Sequence, residues 1–299
     1  MNNKKDINTW IIGCGHIGVR VSQLLRQQNI KISATSHNEN SKQHLTSIGI
    51  RVFSANLDEV SSLKNLPLQY ADIFYFAPPA ASGDTDQRIS HFLSALEKKA
   101  PPRRIVYIST TGVYGNQNGE WITEKTPTAP HNARSKRRLS AEIQIRDFCY
   151  RRKTQYMILR VAGIYDTKKL PLEKINAGVK VLKTDIAPAS NRIHAADLAD
   201  ICIAAMQSTH SNEIFNIADG NPSSISDYFI QTAKIFKLTP PQEINWEQAK
   251  KKLSPEMLSY LSESKKIDAT YVQKKLGVAL QYPDLNSGLI ACKSEYDKQ

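Results

Sequence analysis

The chain has 299 residues, 40% hydrophobic and 23% charged, enough apolar content for a sizeable core in one large or two modest domains. Disorder as the main state is excluded. So is a membrane span, because the most apolar stretches, around Trp10 to Val19 and Ala71 to Ala81, are broken by Gly, His or Pro. Forty basic against 28 acidic residues give a net charge of +12, which favours anionic ligands such as nucleotide phosphates and raises the question of nucleic acid.

The distribution of that charge answers the question. Basic residues come in short pieces, among them Arg103-Arg104, Lys136-Arg137-Arg138, Arg151-Arg152-Lys153 and Lys250-Lys251-Lys252, with no interaction tail and no aromatic platform. Solvated helix faces account for most of them, and a nucleic-acid partner is not expected. Cys14, Cys149, Cys202 and Cys292 lie far apart, which argues against a zinc site, any other metal centre and a disulfide scaffold. The opening Met1-Asn2-Asn3-Lys4-Lys5-Asp6 runs into a first strand without the apolar region of a signal peptide, so a cytoplasmic protein is expected.

From Thr9 onward short apolar runs alternate with amphipathic stretches, the pattern of a parallel sheet covered by helices on both faces. Strands are expected at Thr9 to Ile12, Lys31 to Thr35, Arg51 to Phe53, Asp72 to Phe76, Arg104 to Ile108, Gln155 to Arg160 and Glu213 to Ile217. Val21, Leu24 and Leu25 recur at helical spacing after the first strand, as do Ile89, Phe92, Leu93 and Leu96 after the fourth. The segment 166–188 is looser, and the part beyond Gly220 carries few strand signals. The expected fold is therefore α/β. Residues 1–165 plus 189–219 form a doubly wound parallel sheet, and 166–188 plus 220–299 form a smaller, mostly helical domain.

Directly after the first strand stands Gly13-Cys14-Gly15-His16-Ile17-Gly18. In a strand, loop and helix context the first glycine makes the tight turn, the second lets backbone N–H groups approach a pyrophosphate, and the third lets helix and strand pack closely. This predicts dinucleotide binding, with Cys14 and His16 as spacers. At the end of the second strand, where an acidic residue would hold the adenosine ribose, the chain has Thr35-Ser36-His37-Asn38. Ser36, His37 or Lys42 can bond a 2′-phosphate, which favours NADP; the alternative is NAD, with Asn38 or Glu39 reaching the ribose.

The glycine loop, Ser109-Thr110-Thr111-Gly112-Val113-Tyr114-Gly115, Leu159-Arg160-Val161-Ala162-Gly163, Arg192-Ile193-His194-Ala195-Ala196-Asp197 and Phe215-Asn216-Ile217-Ala218 follow a familiar order. Over nearly its whole length the chain resembles the extended short-chain dehydrogenase/reductases, the NAD-dependent epimerase/dehydratase superfamily. The resemblance implies a Rossmann domain of about seven strands with a small C-terminal substrate domain. It makes Thr110, with Thr111 beside it, the hydroxyl that polarises a substrate carbonyl or alcohol. It also implies that Ala77-Pro78 line the cofactor and that Asn56-Leu57 lie near its adenine.

The family's Tyr-x-x-x-Lys pair is where the chain departs. Counted from Glu142 or Pro130, the Tyr position falls on Arg134 and the Lys position on Arg138; the other register, with Ser135-Lys136 on the family's Ser-Lys, puts Asn132 at the Tyr position. No tyrosine stands there in either. A guanidinium is no general base near neutral pH, but Arg138 can still hold a ribose or phosphate oxygen. The chain is thus most similar to the atypical branch that lacks the tyrosine.

Tyr114 and Tyr165 are candidates for a replacement acid or base, and Arg160 for orienting phosphate or substrate. His194 with Asp197 forms either a polarised pair or a structural fastening. Two functions are expected to compete. One is an NADP-preferring oxidoreductase or epimerase/dehydratase acting on a small, in some cases anionic, carbonyl, alcohol or nucleotide-linked sugar. The other is a catalytically weak NADP-sensing protein acting through a macromolecular partner. The resemblance further implies a homodimer through helices around Ile89 to Lys98 and Arg138 to Tyr150.

Overall fold

The computed structural model describes residues 8–298, so the opening Met1 to Asp6 segment lies outside the described residues. The first five strands are β1 (Thr9–Ile12), β2 (Ile32–Ser36), β3 (Arg51–Ser54), β4 (Asp72–Tyr75) and β5 (Arg104–Thr110). Between and after them run α1 (His16–Gln27), α2 (Glu39–Ser47), α3 (Val60–Leu63), α4 (Gln87–Leu96) and α5 (Ala133–Arg152). With Gln155–Val161 and Glu213–Ile217 the strands make one seven-stranded sheet, in the order Glu213–Ile217, Gln155–Val161, β5, β4, β1, β2, β3. The expected doubly wound α/β fold is the observed one. β1 pairs in parallel with both β2 and β4, Thr9 opposite Ile32 on one side and Asp72 on the other. The strand order reverses beside β1, where such sheets bind ligands at their carboxyl edge.

One face of this sheet presents Trp10 and Ile12 of β1, Ile73 and Tyr75 of β4, and Ile105 and Tyr107 of β5. They pack against Ile89, Phe92 and Leu96 of α4 and Ala141, Ile145 and Phe148 of α5. Alternation along each strand and the i, i+3, i+4 spacing on each helix bring these residues to a common layer. α4 starts where it does because Asp86 caps it, Oδ1 accepting from the backbone N–H groups of Arg88 and Ile89.

Strand ends differ from expectation by one or two residues, most usefully at β5, which continues through Thr110. There Ser109 is drawn inward by Glu142, which accepts its hydroxyl proton at 2.5 Å. Most of the basic pieces lie on exposed or half-buried positions as expected, but four of their residues do not. Arg104 is 1% exposed, and its guanidinium donates to the carbonyls of Ala205, Met206, Ser208 and His210 at the C-terminal end of the helix Ala195–Gln207. Arg137, Arg138 and Lys265 are buried as well. Composition counts charges but does not say which of them find enough acceptors to be taken inside.

Two compact units divide the chain at other points than the sequence suggests: Met1–Val113, Pro130–Arg160 and Ala199–Phe215 form the first, Tyr114–Ala129, Val161–Leu198 and Asn216–Gln299 the second. The segment after Tyr114 joins the second unit because Trp121–Ile122 pairs with Lys266–Ile267 and Lys265 Nζ donates to Gly115 O at 2.6 Å. The second unit is also less purely helical than expected. It holds further two-stranded pairings of Gly163–Tyr165 with Arg192–His194, Lys180–Leu182 with Gln242–Ile244, and Ala189–Ser190 with Ser223–Ser224. Its core gathers Tyr165, Tyr228, Phe229, Leu285 and Leu289.

Beside that core Asp219 is 4% exposed; Oδ1 accepts from Asn221 N, and Oδ2 has no hydrogen-bond partner. Burial pushes its carboxyl up to about 7, against a smaller downward pull from Arg192. An acid whose folded pKa is raised binds its proton more tightly in the native state, so stability falls as pH rises from about 4 to about 7. Asp219→Asn keeps an acceptor for Asn221. It is expected to stabilise the protein by about 2 kcal/mol at pH 8 and by nothing at pH 4, measured as urea midpoints. An equal gain at both pH values would contradict this account.

Candidate active site

The carboxyl edge of β1, β4 and β5 is built entirely within the first unit. Gly13 has φ +86°, and a Cβ there would stand 2.4 Å from the backbone N of Ala77, so only glycine lets the loop pass the end of β4. Gly18 faces Ile11, where a Cβ would come within 3.1 Å of Cγ2. Gly15 differs from both: nothing lies within 4 Å of a Cβ placed on it. Gly15 is also the N-cap of the 12-residue α1, with no side-chain cap and no acidic residue in the first turn. The positive end of a helix and the room over Gly15 fit a dinucleotide pyrophosphate. Cys14 stays a neutral thiol, pushed up to about 12 by burial, which suits a spacer and not a nucleophile.

After β2, Asn38 caps α2, accepting from Ser41 N at 3.0 Å, and Glu39 pairs with Lys42 at 3.1 Å. Ser36 Oγ donates to Asn38 O and accepts from Asn38 N, while His37 is exposed. Asp58, a carboxylate close by, is held by a bidentate pair with Arg88, both bonds at 2.7 Å. That guanidinium keeps the Asp58 carboxyl below its ordinary value. Asn56 is engaged in its own loop, receiving Asp58 N on Oδ1 and donating to Glu59. Leu57 O meets His91 Nδ1 at 2.9 Å.

At the end of β5, Thr110 Oγ1 accepts from Gly112 N at 3.1 Å, which leaves its own O–H to donate. Thr111 is buried. Arg138 reaches the same edge from α5: one guanidinium nitrogen donates to Ile108 O at 3.0 Å, Tyr107 OH at 3.1 Å and Ala77 O at 3.4 Å, and the guanidinium lies over the Tyr107 ring. Pro78 O accepts from Arg88. Arg134 lies one turn before Arg138 and is exposed.

The register of α5 follows from Glu142. It is 1% exposed, receives Arg160 at 2.7 Å and Ser109 at 2.5 Å, and thereby ties α5 to β5 and to the strand Gln155–Val161. With Glu142 inward, Arg138 is buried as well, and Lys136 faces out toward Asp84. The Ser109, Glu142 and Arg160 network was not singled out from sequence as a unit; the signal was present in Glu142 as a register mark.

Several candidates move to structural roles. Arg160 is spent on Glu142 and does not orient phosphate. Tyr114 is fully buried and donates to Asn216 Oδ1 at 2.6 Å, so its hydroxyl is used inside the second unit. Tyr165 is 1% exposed, packs edge-on against His194, and has its phenol pushed up by burial. Asp197 accepts from Gln281 N and Tyr282 N, while His194 Nδ1 accepts from Ala196 N and Nε2 faces Cys292 Sγ, an arrangement of fastening.

Residues 13–209 match the protein family described as NAD(P)H-binding. Protein YeeZ of Escherichia coli (strain K12) is 25% identical over 284 residues, covering 92% of this chain and 96% of its own. Among solved structures, a functionally unknown conserved protein from Silicibacter pomeroyi has a TM-score of 0.80 at 24% identity, covering 97% of this chain and 99% of its own. A UDP-glucose 4-epimerase with UDP-glucose from Thermotoga maritima has 0.81 at 18% identity over 98% and 99%. These likenesses show the fold, a doubly wound α/β sheet with a second compact unit.

Proposed function

Because the chain belongs to the NAD(P)H-binding family, we propose that it is an NAD(P)H-dependent oxidoreductase or epimerase/dehydratase-like enzyme, acting on a small carbonyl, an alcohol or a nucleotide-linked sugar. The observation that carries this reading is the open cradle over Gly15 at the same sheet edge as Thr110 and Arg138. The dinucleotide supplies or takes the hydride when bound. Gly13 to Gly18 hold its pyrophosphate, Asn56-Leu57 and Ala77-Pro78 border it, and Arg138 holds its ribose. Thr110 donates to the substrate oxygen. Arg134 does not titrate near neutrality, so the accompanying proton comes from solvent.

NADP is the preferred cofactor in this reading. Asp58 is neutralised by Arg88 and Glu39 by Lys42, so no free carboxylate meets a 2′-phosphate, while His37 and Ser36 are at hand to bond it. The four cysteines are free thiols, which supports a reducing, cytoplasmic setting. Ile143 and Tyr150 are 50% and 88% exposed on α5, which supports a homodimer through that helix.

Titration of cofactor-stripped protein with NADPH and NADH, followed by nicotinamide fluorescence, tests the reading; binding of neither would overturn it. Thr110→Val is expected to leave NADPH affinity unchanged and to lower turnover of a competent carbonyl about tenfold to thirtyfold. Unchanged turnover would remove the hydroxyl from the chemistry. A second reading rests on the buried tyrosines: Tyr107, Tyr114 and Tyr165 are all under 2% exposed. Tight NADPH binding with no turnover across a broad panel would favour an NADP sensor acting through a macromolecular partner.

A further inference from the structure

The first two turns of α5 carry Arg134, Lys136, Arg137 and Arg138 with no acidic residue in the first turn. Cations at the positive end of a 20-residue helix oppose the macrodipole, so this cluster is held at a cost. Three of the four have a partner: Lys136 pairs with Asp84 at 3.2 Å, Arg137 donates to Gly83 O at 2.6 Å, and Arg138 is bound to the ends of β4 and β5. Arg134 has no hydrogen bond and no ion pair among the described residues.

The nearby carboxylates are engaged elsewhere, Asp86 through Oδ1 only. Asp84 faces Lys136, Asp86 caps α4, and Glu142 holds Arg160. Arg137 is 7% exposed, yet its Nε has no acceptor, a sealed donor within the cluster. Partial enclosure lowers the Arg134 guanidinium below its ordinary value, and the charges of Arg138 and Arg137 lower it further. Four cations therefore share these two turns, and Arg134 is the one that no carboxylate or carbonyl partners among the described residues.

The position is next to the reacting edge. Ser135, which follows Arg134, brings its Oγ to 2.5 Å from a Cβ placed on Gly112, and Thr110 Oγ1 lies 3.5 Å from the same point. We propose that Arg134 binds an oxyanion of the substrate, a carboxylate or a phosphate, beside Thr110, at the place where the tyrosine of related enzymes would stand. The substrate is then an acid, oriented by the guanidinium fork while Thr110 takes the oxygen that changes oxidation state. This deepens the function proposed above and rests on it for the role of Thr110.

The test uses the full chain at constant ionic strength, with phenylglyoxal modification of arginines mapped by peptide mass. Inorganic phosphate or malonate is expected to slow modification of Arg134 at least fivefold, where chloride does not. Protection by phosphate alone assigns a phosphoryl group, and by malonate alone a carboxylate. Arg134→Gln should need at least tenfold more of the protecting anion for the same rise in Tm, Arg134→Lys should fall between, and NADPH affinity should change less than twofold in both. Absence of protection, an Arg134→Gln variant that responds like the parent, or a tenfold loss of NADPH affinity in Arg134→Gln would each overturn the proposal. NADPH binding without anion binding would sink this inference alone; anion binding without NADPH binding would sink the cofactor reading alone.

Discussion

Glu142→Leu is expected to destabilise the protein by about 3 to 5 kcal/mol, the cost of leaving one buried charge without its partner. Arg160 and Glu142 have side chains 6% and 2% exposed, and the pair is bonded through both Nε and a terminal guanidinium nitrogen. Removing the carboxylate strands the guanidinium where water does not reach and also deprives Ser109 of the acceptor of its hydroxyl. The double variant Glu142→Leu with Arg160→Met should recover most of the loss, because two well-packed apolar side chains need no compensation. Urea unfolding of both variants checks this. A single variant within about 1 kcal/mol of the parent would contradict the burial argument. Salt separates the pair from exposed ones: 1 M NaCl should leave it unaffected, whereas Arg151–Glu97, exposed on both sides, should be screened.

The glycine loop should give two different results at two glycines. Gly15→Ala is expected to fold as the parent does, since its Cβ meets no protein atom within 4 Å and its φ of −87° carries no left-handed penalty. NADPH affinity should nevertheless drop about a hundredfold, because the methyl group fills space the pyrophosphate needs against the backbone. Gly13→Ala should instead lower stability by about 2 to 4 kcal/mol. Its Cβ would press on Ala77 N and Cα at 2.4 and 2.5 Å, at a φ of +86°, and disturb the bonds from Phe76 N and Ala77 N to Ile12 O that join β1 to β4. Thermal unfolding and fluorescence titration on the two variants distinguish packing from ligand space. Parental NADPH affinity in Gly15→Ala would remove the dinucleotide from this loop.

Together these results would divide the site into a scaffold and a ligand-facing surface. Gly13, Glu142 and Arg160 belong to the scaffold: they set where β1, β5 and α5 end. Gly15, Thr110 and Arg134 carry the groups left open toward a ligand. Arg138 belongs to both, since its bonds to Ile108 and Ala77 fix it at the sheet edge where the cofactor ribose is proposed to lie.

The alternation of apolar runs and amphipathic stretches and the GxGxxG spacing were both legible in the amino-acid sequence, because each depends on residues close together along the chain. Strand and helix periods and the turn at Gly13 are local steric facts, and they were enough to place all seven strands of the sheet to within two residues. The fate of the charges was not legible. Arg104 reads like the other basic residues, and Arg138 and Arg160 read as ligand candidates, yet their acceptors come from strands and helices far away in sequence, such as Ser208 for Arg104 and Ile108 for Arg138. Whether a cation goes inside depends on how many acceptors the tertiary structure gathers around it. That count also left Arg134 without a partner, and only the folded chain could make it.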